Sequence, residues 1–246
     1  MRKVFIETKN AKRATAAVMA LQKSVLERFL LIFGDSGLGK SEFGMWLINY
    51  LSLDAIFIRV VKVMTTRWLL EELVCAMGLE PAWRTKDLFD QAKEALVGTN
   101  RLVIFDEIDY LTHDSKVIET IRDLGDLTNA PFVFIGMEAA DKKLRRHRPL
   151  WRRFSQIVRF EPMDREDVSL VLRGVCEVEV DETTIDTVFE TQGLTLSLIY
   201  RFAQKIEGIA RSRGLKIVTA DDLLNRSTAK ESHGTKANSR IARLSA

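Results

Sequence analysis

Over residues 1–160, the apolar positions of this chain alternate between two patterns. Short continuous apolar runs predict buried strands at 29–33, 54–61, 101–106, 131–136 and 155–160. Apolar residues three or four positions apart predict helices at 11–26, 41–51, 66–77 and from Thr85 onward. This part of the chain is therefore an alternation of helices and strands.

The pattern changes after residue 161. Pro162 ends the last strand, and Asp164 is a suitable N-cap for a helix with apolar residues at helical spacing. Helical periodicity continues through 181–193 and 194–214, and Thr219 caps a short final helix. From residue 226 the sequence is polar and rich in small residues, which is typical of disorder. We therefore predict an α/β core at 1–161, a small all-helical lid at 162–225 and a disordered basic tail at 226–246.

The segment GDSGLGKS lies between the first predicted strand and a predicted helix. Glycines let the backbone N–H groups of such a loop converge on an anion, and the helix N-terminus adds partial positive charge. This predicts a nucleotide-phosphate site, with Lys40 at the β- and γ-phosphates and Ser41 at Mg²⁺. A glycine-rich turn that matches by chance is the alternative, which the flanking strand and helix disfavour. The segment fits G-x-x-x-x-G-K-[ST] with Gly34, Asp35, Ser36, Gly37, Leu38, Gly39, Lys40 and Ser41.

Two adjacent carboxylates follow the apolar run RLVIF. At the carboxyl end of a strand beside a phosphate loop, Asp106 can hold Mg²⁺ through water. Glu107 can then orient and deprotonate the attacking water. Strands often end in acidic residues, and the pair alone is therefore weak evidence. It becomes informative because it follows a phosphate loop, with α/β elements between the two. Asp109 is expected to cap the next helix or to face solvent.

Residues 142–153 are densely basic, and most of them can form a solvated helix face. Arg152 and Arg153 differ because they come just before the strand SQIVRF at the edge of the sheet. From there an arginine can reach a phosphate bound by a neighbouring subunit. Its planar, permanent charge suits a transition state with charge spread over several oxygens.

Composition is that of a globular protein, with 46% hydrophobic and 29% charged residues. No apolar run approaches the roughly 18 residues that span a bilayer, and the N-terminus has no stretch of signal-peptide type. We therefore expect a cytoplasmic protein without a membrane partner. Cys75 and Cys176 lie within apolar patterns and are expected to be buried, reduced thiols. The tail holds five basic residues and one acidic residue, which leaves the body nearly neutral and allows only local basic sites.

These motifs in this order resemble the AAA+ ATPases over Phe5–Leu224: a strand, a phosphate loop and a helix, then Asp106–Glu107, then RRF before a last strand. The short core, the IG ending of strand four and the lid ending VTADDLL are similar to the transposition regulators MuB and TnsC. Initiator ATPases of origin recognition are close relatives of that group. The resemblance implies an α/β fold, namely a P-loop AAA+ core with a five-stranded parallel sheet flanked by helices, plus a small all-helical lid.

The resemblance also implies an activity, which is hydrolysis of ATP to ADP and phosphate with Mg²⁺, slow and stimulated by assembly on DNA. ATP lies at the interfaces of a homo-oligomeric ring or helical filament on duplex DNA, which engages a transposase. By position, the catalytic residues are Lys40, Glu107 and Arg153, and Arg153 is the arginine finger, which acts on the nucleotide of the neighbouring subunit. Arg152 is the second choice for this finger. Ser41 and Asp106 bind the metal.

Sequence-tolerant contacts to DNA phosphates are implied for the loop after strand two. The alternative for this loop is an ordinary capped helix start with solvated charges. The matching positions are Arg59, Lys62, Thr66 and Arg67.

Two features depart from the family pattern. Met137 and Glu138 follow strand four, where such ATPases carry a polar residue that senses the γ-phosphate. Leu196 stands where the lid helix usually carries an arginine, and Arg201 lies more than a turn later. The favoured function is an ATP-dependent DNA-binding ATPase that regulates transposition target selection and transposase activation. A replication initiator or helicase loader, and a nucleotide-gated signalling module without DNA, are the alternatives.

Overall fold

The computed structural model describes residues 1–25, 28–50 and 55–225, with residues 50 and 225 described by their backbone alone. Contacts divide the chain into two compact units, Asn10–Glu161 and Met1–Lys9 with Pro162–Ala246. The domain boundaries predicted from the sequence include residues 1–9 in the α/β core domain, whereas the structure groups them with the second unit. The predicted tail at 226–246, and the predicted element ends at 26, 51 and 54, lie outside the described residues.

The first unit contains five strands and the helices around them. The strands are β1 (Phe29–Gly34), β2 (Ile56–Arg59), β3 (Val103–Asp106), β4 (Phe132–Met137) and β5 (Phe154–Phe160). The helices are α1 (Lys9–Lys23), α2 (Lys40–Tyr50), α3 (Thr66–Ala76), α4 (Thr85–Leu96), α5 (Ser115–Thr128), α6 (Glu138–Leu144) and α7 (Arg148–Trp151), and a 3₁₀ turn spans Ile108–Tyr110. No helix of residues 1–25, 28–50 and 55–225 is long and apolar enough to cross a membrane.

The five strands form one parallel sheet in the order β2-β3-β4-β1-β5, which confirms the predicted core. Strand β1 is buried along its whole length between β4 and β5, as its continuous apolar sequence indicates. In the register of the sheet, Gly34 lies beside both Met137 and Phe160, and Arg59 lies beside Asp106. The carboxyl ends of the strands therefore bring the phosphate loop and the acidic pair to the same edge.

Aromatic rings fill the core on one face of this sheet. The Phe29 ring stacks on Phe132 at 5.3 Å between centroids, and the Phe105 ring stacks on Phe134 at 5.6 Å. Such pairs contribute about 0.5–1.5 kcal/mol each beyond their burial. Helix α5 packs directly on this cluster, because a Cβ at Gly125 would lie only 2.3 Å from the Phe29 ring. The sheet edge that carries the acidic pair is thus built on a dense core.

The second unit is mostly helical, with an apolar core of its own. The side chain of Asp164 accepts a hydrogen bond from the backbone N–H of Asp167 at 2.9 Å, as the predicted cap requires. Two-residue strands, β6 (Glu179–Val180) and β7 (Ile217–Val218), also pair in parallel, so the all-helical description is wrong in this detail. Such strands are too short to leave an alternating pattern in the sequence. The helices of the second unit are α8 (Arg165–Val175), α9 (Glu182–Phe189), α10 (Leu196–Arg213) and α11 (Ala220–Asn225).

The first residues of the chain lie against this second unit for identifiable reasons. The backbone N–H of Arg2 donates to the carbonyl oxygen of Val175 at 2.7 Å. The side chain of Ile6 packs where a Cβ at Gly174 would come within 2.3 Å of it. A glycine in α8 therefore makes room for the N-terminal segment.

The two cysteines have different environments. Cys176 is buried in the second unit, where burial raises the pKa of its thiol to about 12. Cys75 is exposed on α3, which corrects the expectation that both thiols are buried. The apolar residues of α3 that face the core are its neighbours on the other side of the helix, such as Leu73 and Val74.

Candidate nucleotide site

The predicted phosphate loop joins β1 to the first turn of α2. Gly34, Gly37 and Gly39 have positive φ angles of 152°, 77° and 86°, which L-residues with side chains adopt only under strain. At Gly34 space is also lacking, because a Cβ would lie 2.5 Å from the carbonyl oxygen of Phe160. The first helical hydrogen bond runs from the Phe43 N–H to the Gly39 carbonyl at 2.8 Å. The loop therefore places the N-terminus of α2 at the edge of the sheet, as an anion site requires.

Lys40 is buried inside this loop, with a relative exposure of 6%. Its Nζ donates hydrogen bonds to the carbonyl oxygens of Gly34 at 2.8 Å and Asp35 at 2.6 Å. Burial lowers the pKa of Lys40, and the charges of nearby carboxylates, Asp106 first, act in the opposite direction. A buried ammonium in a ring of backbone groups is a suitable partner for an anion.

Asp106 ends β3 beside the loop and is 2% exposed. Burial raises its pKa, whereas hydrogen bonds from the Ser41 side chain and the Glu107 N–H, the latter at 3.0 Å, favour the ionised form. The two predicted metal residues therefore contact one another. They offer one hydroxyl and one carboxylate, which are oxygen ligands of the kind that Mg²⁺ prefers.

Glu107 has a backbone conformation that is rare for its residue type. Its φ and ψ of 61° and 36° are left-handed, and it immediately precedes the 3₁₀ turn. Its carboxylate lies 3.8 Å from the guanidinium of Arg59, at the end of the neighbouring strand β2. A strained residue at the end of a strand, beside a phosphate-type loop, is a candidate for a functional role.

Asp109 neither caps a helix nor faces solvent, so that expectation is wrong. It is 8% exposed, and its Oδ2 accepts the backbone N–H of Met137 at 2.6 Å. Helix α5 is capped instead by Asp114, whose side chain accepts the N–H groups of Lys116 and Val117.

The two arginines proposed as a finger have different surroundings. Arg153 forms a bidentate ion pair with Asp126 of α5, at 2.9 Å from Nε to Oδ1 and 2.7 Å from a terminal nitrogen to Oδ2. It also donates to the carbonyl oxygen of Pro149 at 3.2 Å. Arg152 is exposed, and no ion pair is found for it within the described chain. Arg153 is thus engaged within its own subunit, and Arg152 is the more accessible of the two.

The four residues predicted to contact DNA do not form one free basic patch. Arg59 faces Glu107, as described above, and Arg67 pairs with Glu71 and lies over the Trp83 ring at 5.6 Å. Lys62 is exposed, without an ion pair to any of the residues that the structure describes. Thr66 is the first residue of α3, whose cap is the preceding residue, Thr65.

The two positions that depart from the family pattern also serve local structure. Leu196 is buried at the start of α10, in the core of the second unit, and Arg201 is exposed on the same helix. Glu138 pairs with Arg159 of β5 at 2.9 Å, and Met137 offers its N–H to Asp109. Met137 and Glu138, at the junction of β4 and α6, therefore do not provide the neutral polar side chain with which such ATPases sense the γ-phosphate.

Taken together, the structure gathers the phosphate loop, Lys40, Ser41, Asp106 and Glu107 at one edge of the sheet. The residues fit a nucleotide with Mg²⁺ by four features: glycine conformations, a helix N-terminus, a buried ammonium and a hydroxyl–carboxylate pair. Of the predicted finger and DNA residues, Arg59 contacts this cluster through Glu107.

Comparisons with known proteins agree with this geometry. A family model described as an AAA domain matches residues 24–144. A search of the curated proteins gave no match.

Several solved structures are similar in fold. The Thermotoga maritima RuvB Holliday junction branch migration motor superposes with a TM-score of 0.64 and 17% identity, covering 92% of this chain and 70% of that one. Aeropyrum pernix Orc1 in complex with DNA has a TM-score of 0.60 and 15% identity, covering 94% and 67%. Domain III of the Thermotoga maritima replication initiation protein DnaA has a TM-score of 0.58 and 18% identity, covering 92% and 94%. The model of an AAA domain thus matches residues 24–144, and the chain has a five-stranded α/β fold that matches the structures of P-loop AAA+ ATPases.

Proposed function

We propose that this protein hydrolyses ATP to ADP and phosphate, and that ATP drives its assembly on duplex DNA in the service of transposition. The observation that carries the first part is the buried Lys40 ammonium in a glycine loop, beside Asp106 and Glu107. The loop and the N-terminus of α2 bind the phosphate chain, and Lys40 exchanges its two carbonyl partners for phosphate oxygens.

Hydrolysis requires a water molecule aligned with the γ-phosphorus. Glu107 accepts a proton from this water as the oxygen attacks, and the bond to the β-phosphate oxygen breaks to leave ADP. Ser41 and Asp106 hold Mg²⁺, which neutralises the charge on the phosphate oxygens. The guanidinium of Arg59, 3.8 Å from the Glu107 carboxylate, orients that carboxylate until the nucleotide is bound.

The active form in this proposal is an oligomer, in which an arginine of one subunit completes the site of the next. Arg153 is the first candidate, and it must leave Asp126 in order to act. Arg152 is the second candidate and needs no such exchange. Replacing the true finger by alanine should preserve ATP binding and reduce turnover by a factor on the order of 10³.

Binding to DNA is proposed at the loop between β2 and α3, with Lys62 as its exposed cation. The solved structures of similar fold include a Holliday junction branch migration motor and Orc1 in complex with DNA, which supports a nucleic-acid role. Phosphate contacts of this kind are sequence-tolerant and sensitive to salt. We place the protein in the cytoplasm, with a transposase as its protein partner.

A second candidate function is replication initiation or helicase loading. The similarity to Orc1 and to domain III of DnaA favours it. The two functions differ in output, because a transposition regulator stimulates strand transfer by a transposase, whereas a loader delivers a helicase to DNA.

The test of hydrolysis compares the wild-type protein with Lys40→Ala and Glu107→Gln. We expect Lys40→Ala to lose nucleotide binding and assembly together. Glu107→Gln should bind ATP, hydrolyse it far more slowly and form longer-lived assemblies. Hydrolysis at the wild-type rate by Glu107→Gln would show that Glu107 is not the general base.

A further inference from the structure

A buried carboxylate that the proposed reaction does not use lies next to the candidate general base. Asp109 has one oxygen, Oδ2, in a 2.6 Å hydrogen bond with the Met137 N–H. The other oxygen, Oδ1, is buried and has no hydrogen-bond partner among the described residues. The Nζ of Lys143, on α6, lies 4.0 Å from this oxygen, which is too far for a hydrogen bond.

This arrangement needs an explanation, because a buried ionised oxygen without a partner is costly. Lys143 can supply the partner with a small change in its rotamer, since its Nζ is already 4.0 Å away and its side chain is 33% exposed. Asp109 is also one of the carboxylates whose charge acts on the buried Lys40. The Asp109 carboxylate therefore interacts electrostatically with Lys40 of the nucleotide site, while its hydrogen bond is to Met137 at the end of β4.

The position of Asp109 connects two parts of that site. It lies within the 3₁₀ turn that begins directly after Glu107, whose backbone is left-handed. Met137, its hydrogen-bond partner, lies beside Gly34 in the sheet register. Gly136 permits the close approach, because a Cβ there would come within 2.8 Å of Oδ2. One hydrogen bond therefore ties the turn after Glu107 to the strand beside the phosphate loop.

We propose that Asp109 is a positioning residue that holds Glu107 in its strained conformation, with Lys143 as its counter-ion. A left-handed non-glycine residue persists only where surrounding contacts fix it. The link to the Met137 N–H supplies such a contact, and pairing with Lys143 holds the carboxylate in place. This inference rests on the proposed ATP hydrolysis, in which Glu107 is the base.

The kinetic test uses Asp109→Asn and Lys143→Met in steady-state ATP hydrolysis with duplex DNA. Asp109→Asn should lower kcat by about 10²-fold, the effect of misplacing a reacting group by about 1 Å, with little change in KM for ATP. Lys143→Met should lower kcat in the same direction by a smaller factor, and Lys143→Arg should restore it. Circular dichroism identifies any variant that fails to fold, in which case Lys143→Met carries the test.

Two matched controls separate positioning from general damage. Lys142 is the exposed neighbour of Lys143, so Lys142→Met should leave kcat unchanged. Asp141 is another carboxylate with a buried oxygen that lacks a hydrogen bond in the described structure, and Asp141→Asn should also leave kcat unchanged. Equal losses of activity in the controls and in the test variants would overturn the proposal.

A double-mutant cycle tests whether Asp109 acts through Glu107. In the Glu107→Gln background, Asp109→Asn should cause no further loss of residual turnover. Multiplicative losses would mean that Asp109 has an independent effect, and the inference would then fail while the role of Glu107 stands.

A crystal structure of the Asp109→Ala protein, which has no side-chain oxygen to accept the Met137 N–H, tests the same claim without any activity. We expect residue 107 to leave the left-handed region. Retention of a φ near 61° would overturn the inference, whatever the rate of hydrolysis.

Discussion

Removing the side chain that holds Arg153 gives a prediction with a calculable magnitude. Asp126 binds the guanidinium at 2.9 and 2.7 Å, and both side chains are 38% exposed. Ion pairs this exposed are worth about 0.2–1 kcal/mol after screening by solvent. In the proposed mechanism, Arg153 must leave Asp126 to reach the nucleotide of a neighbouring subunit. The free energy of this ion pair is then the cost of releasing Arg153, and Asp126→Ala removes that cost.

The expected result is a small gain in turnover. A free energy of about 0.2–1 kcal/mol corresponds to a factor of about 1.4–5 in an equilibrium constant. Asp126→Ala should therefore raise DNA-stimulated ATP hydrolysis by up to about fivefold when subunit contact limits the rate. The assay is steady-state hydrolysis over a series of protein concentrations with duplex DNA, together with thermal unfolding.

The control is Glu119→Ala, which removes an exposed carboxylate from the same helix and should leave turnover unchanged. A tenfold fall in turnover with Asp126→Ala, with thermal stability intact, would refute the reasoning. Asp126 would then hold Arg153 in its working position rather than away from it.

The remaining predictions concern the loop, DNA and the thiols. Gly34→Ala should lower the free energy of unfolding by about 2–3 kcal/mol, because φ is 152° and a backbone oxygen lies 2.5 Å from the new Cβ. Thermal unfolding measures this, and Gly78→Ala, with φ of 79° and open space, should cost less; equal losses would exclude the close contact as the cause. Lys62→Ala should reduce the slope of log K against log salt for duplex DNA by about 1, and an unchanged slope excludes a phosphate contact. In mass spectrometry after brief alkylation at pH 8, Cys75 should react and Cys176 should not, because Cys176 is buried with a pKa of about 12; fast labelling of Cys176 in folded protein would contradict this.

The elements with a strong repeating pattern were predictable from the sequence. A continuous apolar run such as Phe29–Phe33 has few stable alternatives to a buried central strand, and the structure gives β1 over Phe29–Gly34. The cap at Asp164 was predictable because one side chain and one backbone N–H decide it locally. In both cases the information lies within a few residues of the element itself.

Features that depend on distant partners could not be predicted. Burial of Asp109 depends on Met137, which is 28 positions later in the chain, and the pair of Arg153 with Asp126 spans 27 positions. The strands β6 and β7 are two residues each, so their pairing has no periodic signal. Cys75 is exposed because it lies on the face of α3 that points away from the core. The apolar residues next to it in the sequence do not show which face of the helix is buried.

The central claim is that ATP at the contacts between subunits controls growth of an assembly on duplex DNA. Electron microscopy of the purified protein with duplex DNA, in ATP and separately in ADP, tests it most directly. The account predicts rings or filaments on DNA in ATP and none in ADP, with loss of both in Lys40→Ala. Isolated single particles under both nucleotide conditions would contradict it.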